Sequence, residues 1–195
     1  MNQLDPTVLE AALRALGETL AFRGVATELV VIGGSGLLLL GVVQRATRDV
    51  DVVARVNEAH LVTAEPLPLA LREAVRNVAR VIDLAPDWLN AAPTSLLDFG
   101  LPEGFLSRCT VRRYETLIIH VAARLDQIHF KLYAAADHGP RSKHVSDLRT
   151  LAPTRAERLA AARWCQTHDP SAGFRESLCR ALNFLGVEVR DEELD

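Results

Sequence analysis

Apolar residues recur along the chain in two rhythms, and the switches between them mark the elements. Leu9, Leu13, Leu16 and Leu20 fall at helical spacing behind Asp5-Pro6, where Asp caps free amides and Pro fits a first turn, and Gly24 ends the run. Leu29-Val30-Val31-Ile32 is a short, β-branched apolar run bounded by glycine, which predicts a buried strand. Gly33-Gly34-Ser35-Gly36 then predicts a tight turn, residues 37–43 a short buried helix, and residues 45–48 a polar connection. Val50-Asp51-Val52-Val53 predicts a second strand with alternating side chains. Residues 67–82 set Ala and Leu against Arg72, Glu73, Arg76 and Arg80, the pattern of an amphipathic helix. Residues 87–90 and 93–104 are rich in turn formers, and residues 109–121 in β formers, enough for one or two strands. Helical patterns fill 124–136 and 142–151 around an interruption at His138-Gly139-Pro140, and Pro153, Pro170 and Gly173 frame two further helices. The expected fold is α+β: a small mixed sheet flanked by helices, with a helical C-terminal tail. Residues 1–151 are expected to form the main domain and residues 152–195 a helical extension packed on it.

Composition narrows the class. A chain of 195 residues with 49% hydrophobic and 24% charged residues can bury about 70% of its unfolded surface, so it needs no metal or crosslink to fold. Cys109, Cys165 and Cys179 are odd in number and widely spaced, which fits reduced thiols rather than a disulfide framework. The longest apolar stretch, residues 29–43, is broken by glycines and falls short of the roughly 20 residues that span a bilayer. The N-terminus lacks a basic segment followed by an apolar run. A soluble, cytoplasmic protein with no membrane partner is expected.

The net charge of −3 argues against a generally sticky nucleic-acid binder but leaves room for a local basic patch. Residues 99–151 supply one, with eight basic residues against five acidic, while the segments on either side are acidic. Of the 22 basic residues only Lys131 and Lys143 are lysines, and both lie there. Either an Arg-rich composition left them by accident, or a compact ammonium is needed where a guanidinium fork would not serve.

Two motifs could carry chemistry together. A strand that ends in Gly33-Gly34-Ser35 and opens a helix aims backbone amides at one point, which favours a phosphate. The run matches neither the P-loop nor the dinucleotide fingerprint, so alone it reads as an ordinary strand-to-helix turn. Thr47-Arg48-Asp49-Val50-Asp51-Val52 follows at the next predicted strand, with thirteen residues separating Ser35 from Asp49. Carboxylates two apart on a strand share a face, with Cβ atoms roughly 6–7 Å apart, and repel unless a cation lies between them. Mg²⁺, with its preference for oxygen ligands, is the usual answer; a solvated acidic edge is the plain alternative. Further on, Lys131-Leu132 on one helix is followed by Arg141, Lys143 and, sixteen residues after Lys131, Asp147 on the next.

A Gly-Gly-Ser turn, a spacer of this length, and Asp-x-Asp flanked by hydrophobics resemble the signature of the polymerase-β-like nucleotidyltransferase superfamily. With the later Lys-Leu helix and its basic stretch, the order is similar to the AbiEii/MenT-like branch, the toxins of type IV and related toxin–antitoxin systems. The resemblance covers about residues 28–150. It implies transfer of a nucleoside monophosphate from an NTP with loss of pyrophosphate. It implies Mg²⁺ or Mn²⁺ on Asp49 and Asp51, and nucleotide contacts at Gly33, Gly34, Ser35, Thr47 and Lys131. Asp147 becomes the late acidic residue of the catalytic set. His144 stands where the branch often has Asp, and only Glu115 and Asp126 offer themselves as a third metal carboxylate. The implied acceptor is the 3′ end of tRNA, and the implied protein partner a cognate antitoxin. The positive middle segment fits an RNA surface at Arg112, Arg113, Arg141 and Lys143, with Arg108, Arg124 and Arg149 beside them. A nucleotidyltransferase acting on a small molecule such as an aminoglycoside, or on a protein, stays open, as does a non-catalytic nucleotide-binding module.

Other features read as structure. Cys165-x-x-His168 has metal-ligand spacing without a second pair. Trp88 and Trp164 suit core anchors, and His120 and His129 satisfied core positions. Gly34-Ser35-Gly36 lacks the frame of a nucleophile elbow.

Overall fold

The computed structural model describes residues 2–188 and 193–194, and the chain divides into two compact units, Met1–Ala123 and Arg124–Asp195. The first unit holds a mixed sheet of β1 (Thr27–Ile32), β2 (Val50–Asn57), β3 (His60–Val62), β4 (Leu89–Asn90), β5 (Thr110–Tyr114) and β6 (Leu117–Val121). The strand order is β3-β2-β1-β6-β5, with the short β4 also paired to β2. β1 lies antiparallel to β2 and parallel to β6, so it sits at the centre. Its last four residues, Leu29 to Ile32, are all buried, as a fully apolar run at the centre of a sheet should be.

Helix α1 (Pro6–Phe22) starts where Asp5 accepts a 2.8 Å hydrogen bond from the Val8 amide, with Pro6 in the first turn. Its leucines at 9, 13, 16 and 20 are buried. It runs antiparallel to α3 (Leu69–Ile82): Asn2 N donates to Asp83 O at one end, and Arg23 pairs with Glu73 at 3.1 Å near the other. Trp88 is fully buried, its Nε1 donating to Val75 O at 3.0 Å, so it anchors α3 to the segment before β4.

Two local expectations change. The Gly33-Gly34-Ser35-Gly36 run is not a turn ahead of a helix. It is the first turn of α2 (Gly33–Leu39), which follows β1 without a connecting loop and ends before Gly41. β2 alternates only over Val50-Asp51-Val52, and then Val52, Val53 and Ala54 are all buried. The register explains this. Leu29 and Val30 face Arg55 and Ala54, but Val31 and Ile32 face Val52 and Asp51, so Val53 is the extra residue of a β-bulge.

The remaining elements of the first unit are a 3-10 helix (Ala92–Leu97) and the one-turn α4 (Phe105–Arg108). The second unit is helical among its described residues: α5 (Arg124–His138), α6 (Lys143–Leu151), α7 (Arg155–His168) and α8 (Ala172–Phe184). Thr154 and Glu157 form a reciprocal capping box at the start of α7. Arg124 ties it to the end of α6, donating to Leu151 O at 2.7 Å and to Glu157 at 2.7 Å. That guanidinium and the Thr154 amide hold the Glu157 carboxyl down at about pKa 2. Among the described residues no helix is long and apolar enough to cross a membrane.

Gly17 lies in the interior of α1, where glycine costs about 1 kcal/mol relative to alanine. A Cβ there would run into the carbonyl of Tyr114 on β5, so the glycine lets helix and edge strand touch through backbone. Gly17→Ala is therefore expected to lower stability by about 1–3 kcal/mol despite its better helix propensity. Chemical denaturation measures this, and an unchanged or raised midpoint would show that the contact is not tight.

Candidate active site

The corner of interest lies in the first unit, where β1 runs into α2 and β2 passes alongside. Ile32, the last residue of β1, is extended and serves as the cap of α2 without a side-chain hydrogen bond to its amides. Asp51 is its register partner on β2. Gly33 has φ +77°, a conformation L side chains rarely adopt, and a Cβ on it would collide with Asp51 Oδ2. A Cβ on Gly34 would come 2.9 Å from Thr47 Oγ1 and 3.9 Å from a terminal nitrogen of Arg45. The two glycines therefore form a stretch of backbone without side chains on which Arg45, Thr47 and Asp51 converge.

The backbone leading into β2 is fixed from outside. Thr47 exchanges two hydrogen bonds with Leu4, at 2.8 and 3.0 Å, so the chain ahead of α1 pins the strand's approach. Thr47 is itself buried. Asp49 is half-buried and immediately precedes β2, and Asp51 is half-buried within it. Val50 and Val52 are fully buried between and beyond them, so both carboxylates lie away from the packed side of the strand. Ser35 is fully buried, with its Oγ 3.4 Å from Ile32 O and turned back on its own turn. On the other edge of β2, Asn90 of β4 is the register partner of Asp51. Neither Asn90 nor Arg45 belongs to the motifs that the sequence singles out. The alternation Arg45-x-Thr47-x-Asp49-x-Asp51 is the available signal for Arg45, whereas no pattern in the sequence announces the two-residue β4 that brings Asn90 in.

Lys131 and Asp147 belong to the second unit. Lys131 lies on α5 and Asp147 on α6, and their Nζ and Oδ2 atoms are 2.7 Å apart with side-chain exposures of 3% and 2%. The pair is thus desolvated, and charges buried so deeply are stable only while paired and hydrogen-bonded. Asp126, on the first turn of α5, is also fully buried. Glu115 lies in the β5–β6 turn and is exposed. Among the described residues no group of three or more His, Cys, Asp or Glu is placed to hold a metal ion.

Besides Lys131, the middle segment carries seven basic residues, and several are occupied by the fold. Arg112 donates to Leu39 O at 2.6 Å and lies 3.7 Å from Glu10, which in turn accepts from Tyr114 at 2.9 Å. Burial and that carboxylate push the Tyr114 hydroxyl up to about pKa 12. Arg108 donates to Glu103 O, Arg124 serves the α6–α7 junction, and Arg149 lies 4.9 Å over the Phe184 ring. Arg113, Arg141 and Lys143 are exposed.

The histidines and tryptophan expected in structural roles have them. His120 bonds Glu28 at 2.8 Å and His129 bonds Leu125 O at 2.9 Å. Trp164 meets the His129 and Phe130 rings edge-on.

His144 on α6 is half-buried, and its Nδ1 has no hydrogen-bond partner among the described residues. Burial first, then the positive charges of Lys131, Lys143 and His138, push its pKa down to about 4. The ring is neutral in the folded protein and takes a proton near pH 6.5 in the unfolded chain. Its contribution to stability is therefore full above about pH 6.5 and is lost as pH falls toward about 4. Solvent screening of the half-exposed ring keeps this to about 1–2 kcal/mol. His144→Gln should flatten the fall in melting temperature between about pH 7 and pH 4.5. An equal slope in both proteins would contradict the assignment.

No curated protein and no solved structure matches the chain. A family model does match residues 11–138, which span most of α1, the whole sheet with its glycine corner, and α5 with Lys131. On that match the chain belongs to the family described as nucleotidyltransferase of unknown function, DUF6036.

Proposed function

We propose that this nucleotidyltransferase transfers a nucleoside monophosphate from an NTP to an RNA acceptor, the 3′ end of tRNA, in a metal-dependent reaction. The observation that supports the reading best is the placement of Asp51 and Thr47 against the Gly33-Gly34 backbone. Carboxylates for a metal and a backbone without side chains that phosphates can approach suit phosphoryl transfer, where the protein mainly positions and neutralises.

Asp49 and Asp51 fit Mg²⁺ or Mn²⁺ in their donor chemistry, since Mg²⁺ is commonly held by one or two carboxylates together with substrate phosphates. The ion, when bound, polarises the phosphoryl oxygens and lowers the pKa of the attacking hydroxyl. Gly33, half-buried where Gly34 and Ser35 are buried, is the part of this backbone that a phosphate approaches. Thr47 orients the strand that carries the carboxylates. Ser35 is fully buried and supports the turn from behind, with its Oγ 3.4 Å from Ile32 O. Within the second unit Asp147 holds the Lys131 ammonium in one position. Exposed Arg113, Arg141 and Lys143 contact RNA phosphates. In this reading the protein is the toxin of a toxin–antitoxin pair, held in check by a cognate antitoxin.

The test is to incubate the purified chain with Mg²⁺, each labelled NTP and total tRNA, and to follow label on RNA. Asp49→Asn should lower transfer by about a thousandfold, the equivalent of about 4 kcal/mol of transition-state stabilisation, without lowering the melting temperature. Retained activity in the folded variant would remove the carboxylate pair from the mechanism.

The RNA surface gives a second prediction. Arg113→Glu should weaken tRNA binding and flatten the salt dependence of log K by about 0.7–0.9 per lost phosphate contact, with the KM for NTP unchanged. Arg112→Glu should instead lower the melting temperature, because that guanidinium serves Leu39 and Glu10. A folded Arg113→Glu protein with undiminished RNA affinity and slope would exclude this residue from the surface. Absence of RNA binding by the wild type would favour a small-molecule acceptor.

A further inference from the structure

The geometry points to Arg45 as a triphosphate-binding residue: we infer that its guanidinium holds the β- and γ-phosphates over Gly33-Gly34 and then the pyrophosphate that leaves. This rests on the nucleotidyl-transfer reading above and adds a residue to it.

Three observations carry the inference. The first is position. A terminal nitrogen of Arg45 lies 3.9 Å from the point where a Cβ on Gly34 would stand, and Thr47 Oγ1 lies 2.9 Å from the same point. A cation and a hydroxyl thus border the Gly33-Gly34 backbone, which carries no side chains. The second is support. Arg45 is two residues before Thr47, whose backbone is fixed by its paired hydrogen bonds to Leu4, and its side chain is half-buried. A guanidinium on a pinned backbone loses less freedom when it binds than one on a free loop. Its neighbour Arg48 is exposed, so the two arginines of this short segment are not equivalent.

The third is charge. Asp51 presents a carboxylate oxygen at Gly33, directly beside the place proposed for the phosphates. A triphosphate there meets like charge, and a fixed cation on the Gly34 side offsets it. A planar guanidinium can donate two parallel hydrogen bonds to phosphate oxygens, which positions as well as neutralises. In the transfer step the acceptor oxygen bonds to the α-phosphorus and the hydroxyl proton passes to a carboxylate of the site. The bond from the α-phosphorus to the bridging oxygen breaks, and its electron pair leaves with pyrophosphate. Charge accumulates on that leaving group, where Arg45 is placed to receive it.

The experiment is calorimetric titration of the full chain with inorganic pyrophosphate, each NTP, and the corresponding nucleosides, all with Mg²⁺, on wild type, Arg45→Gln and Arg45→Lys. Arg45→Gln should weaken pyrophosphate and NTP binding by about tenfold to a hundredfold while leaving nucleoside binding unchanged. Arg45→Lys, which keeps the charge but loses the fork, should fall between the two. Melting temperatures taken alongside separate loss of a ligand contact from loss of fold, and the lysine variant serves should the glutamine variant prove unstable. Unchanged pyrophosphate affinity in both folded variants overturns the inference, as does equal weakening of nucleoside and NTP. Should the wild type bind pyrophosphate through Arg45 yet transfer no nucleotide, the inference stands and the transfer reading falls. Should the wild type transfer nucleotide while its pyrophosphate affinity is indifferent to Arg45, the transfer reading stands and the inference falls.

Discussion

The approach of β2 to the junction of β1 and α2 leaves no room for a side chain at Gly33 or Gly34, and most of the candidate chemistry depends on that closeness. Asp51 reaches the backbone of Gly33, and Thr47 that of Gly34, because nothing stands between them. The strand is brought there by three separate devices. The bulge at Val53 shifts the register so that Ile32 faces Asp51. The Leu4–Thr47 hydrogen bonds fix the chain entering the strand. The buried Val50 and Val52 hold its other face in the core. A methyl group on either glycine would oppose all three.

Much of this architecture is legible in the sequence because its signals are local. Asp5-Pro6 and the leucine period fix α1, and the β-branched run at residues 29–32 fixes the central strand. The association of a glycine-serine turn with Asp49 and Asp51 points to the superfamily that the family match bears out. Contacts between residues distant in sequence are not legible. The glycine run looks like a turn because its meaning lies in Asp51 and Thr47. The Val52-Val53 doublet looks like ordinary alternation because a bulge is defined only against a partner strand. Arg112 and Arg124 look like an RNA surface because composition cannot tell a solvated arginine from one whose guanidinium closes a junction. Asn90 is invisible because a two-residue strand has no period.

Charge in the second unit follows a similar logic. Lys131, one of two lysines in the chain, is nearly buried on Asp147, and the neighbouring His144 is kept neutral by burial and by the surrounding positive charge. A buried ion pair contributes little to stability against a hydrophobic alternative, so its presence asks for a reason other than folding. Lys131 stands out in a chain whose other cations are almost all arginine.

The central claim is that the α-phosphate of an NTP is transferred and the β- and γ-phosphates depart together. Parallel incubations with α-labelled and γ-labelled NTP, resolved into acceptor, nucleotide and inorganic products, test it most directly. The account predicts α-label on the acceptor and γ-label in pyrophosphate, in equal amounts. The γ-label on the acceptor, or release of single phosphate in place of pyrophosphate, would contradict it.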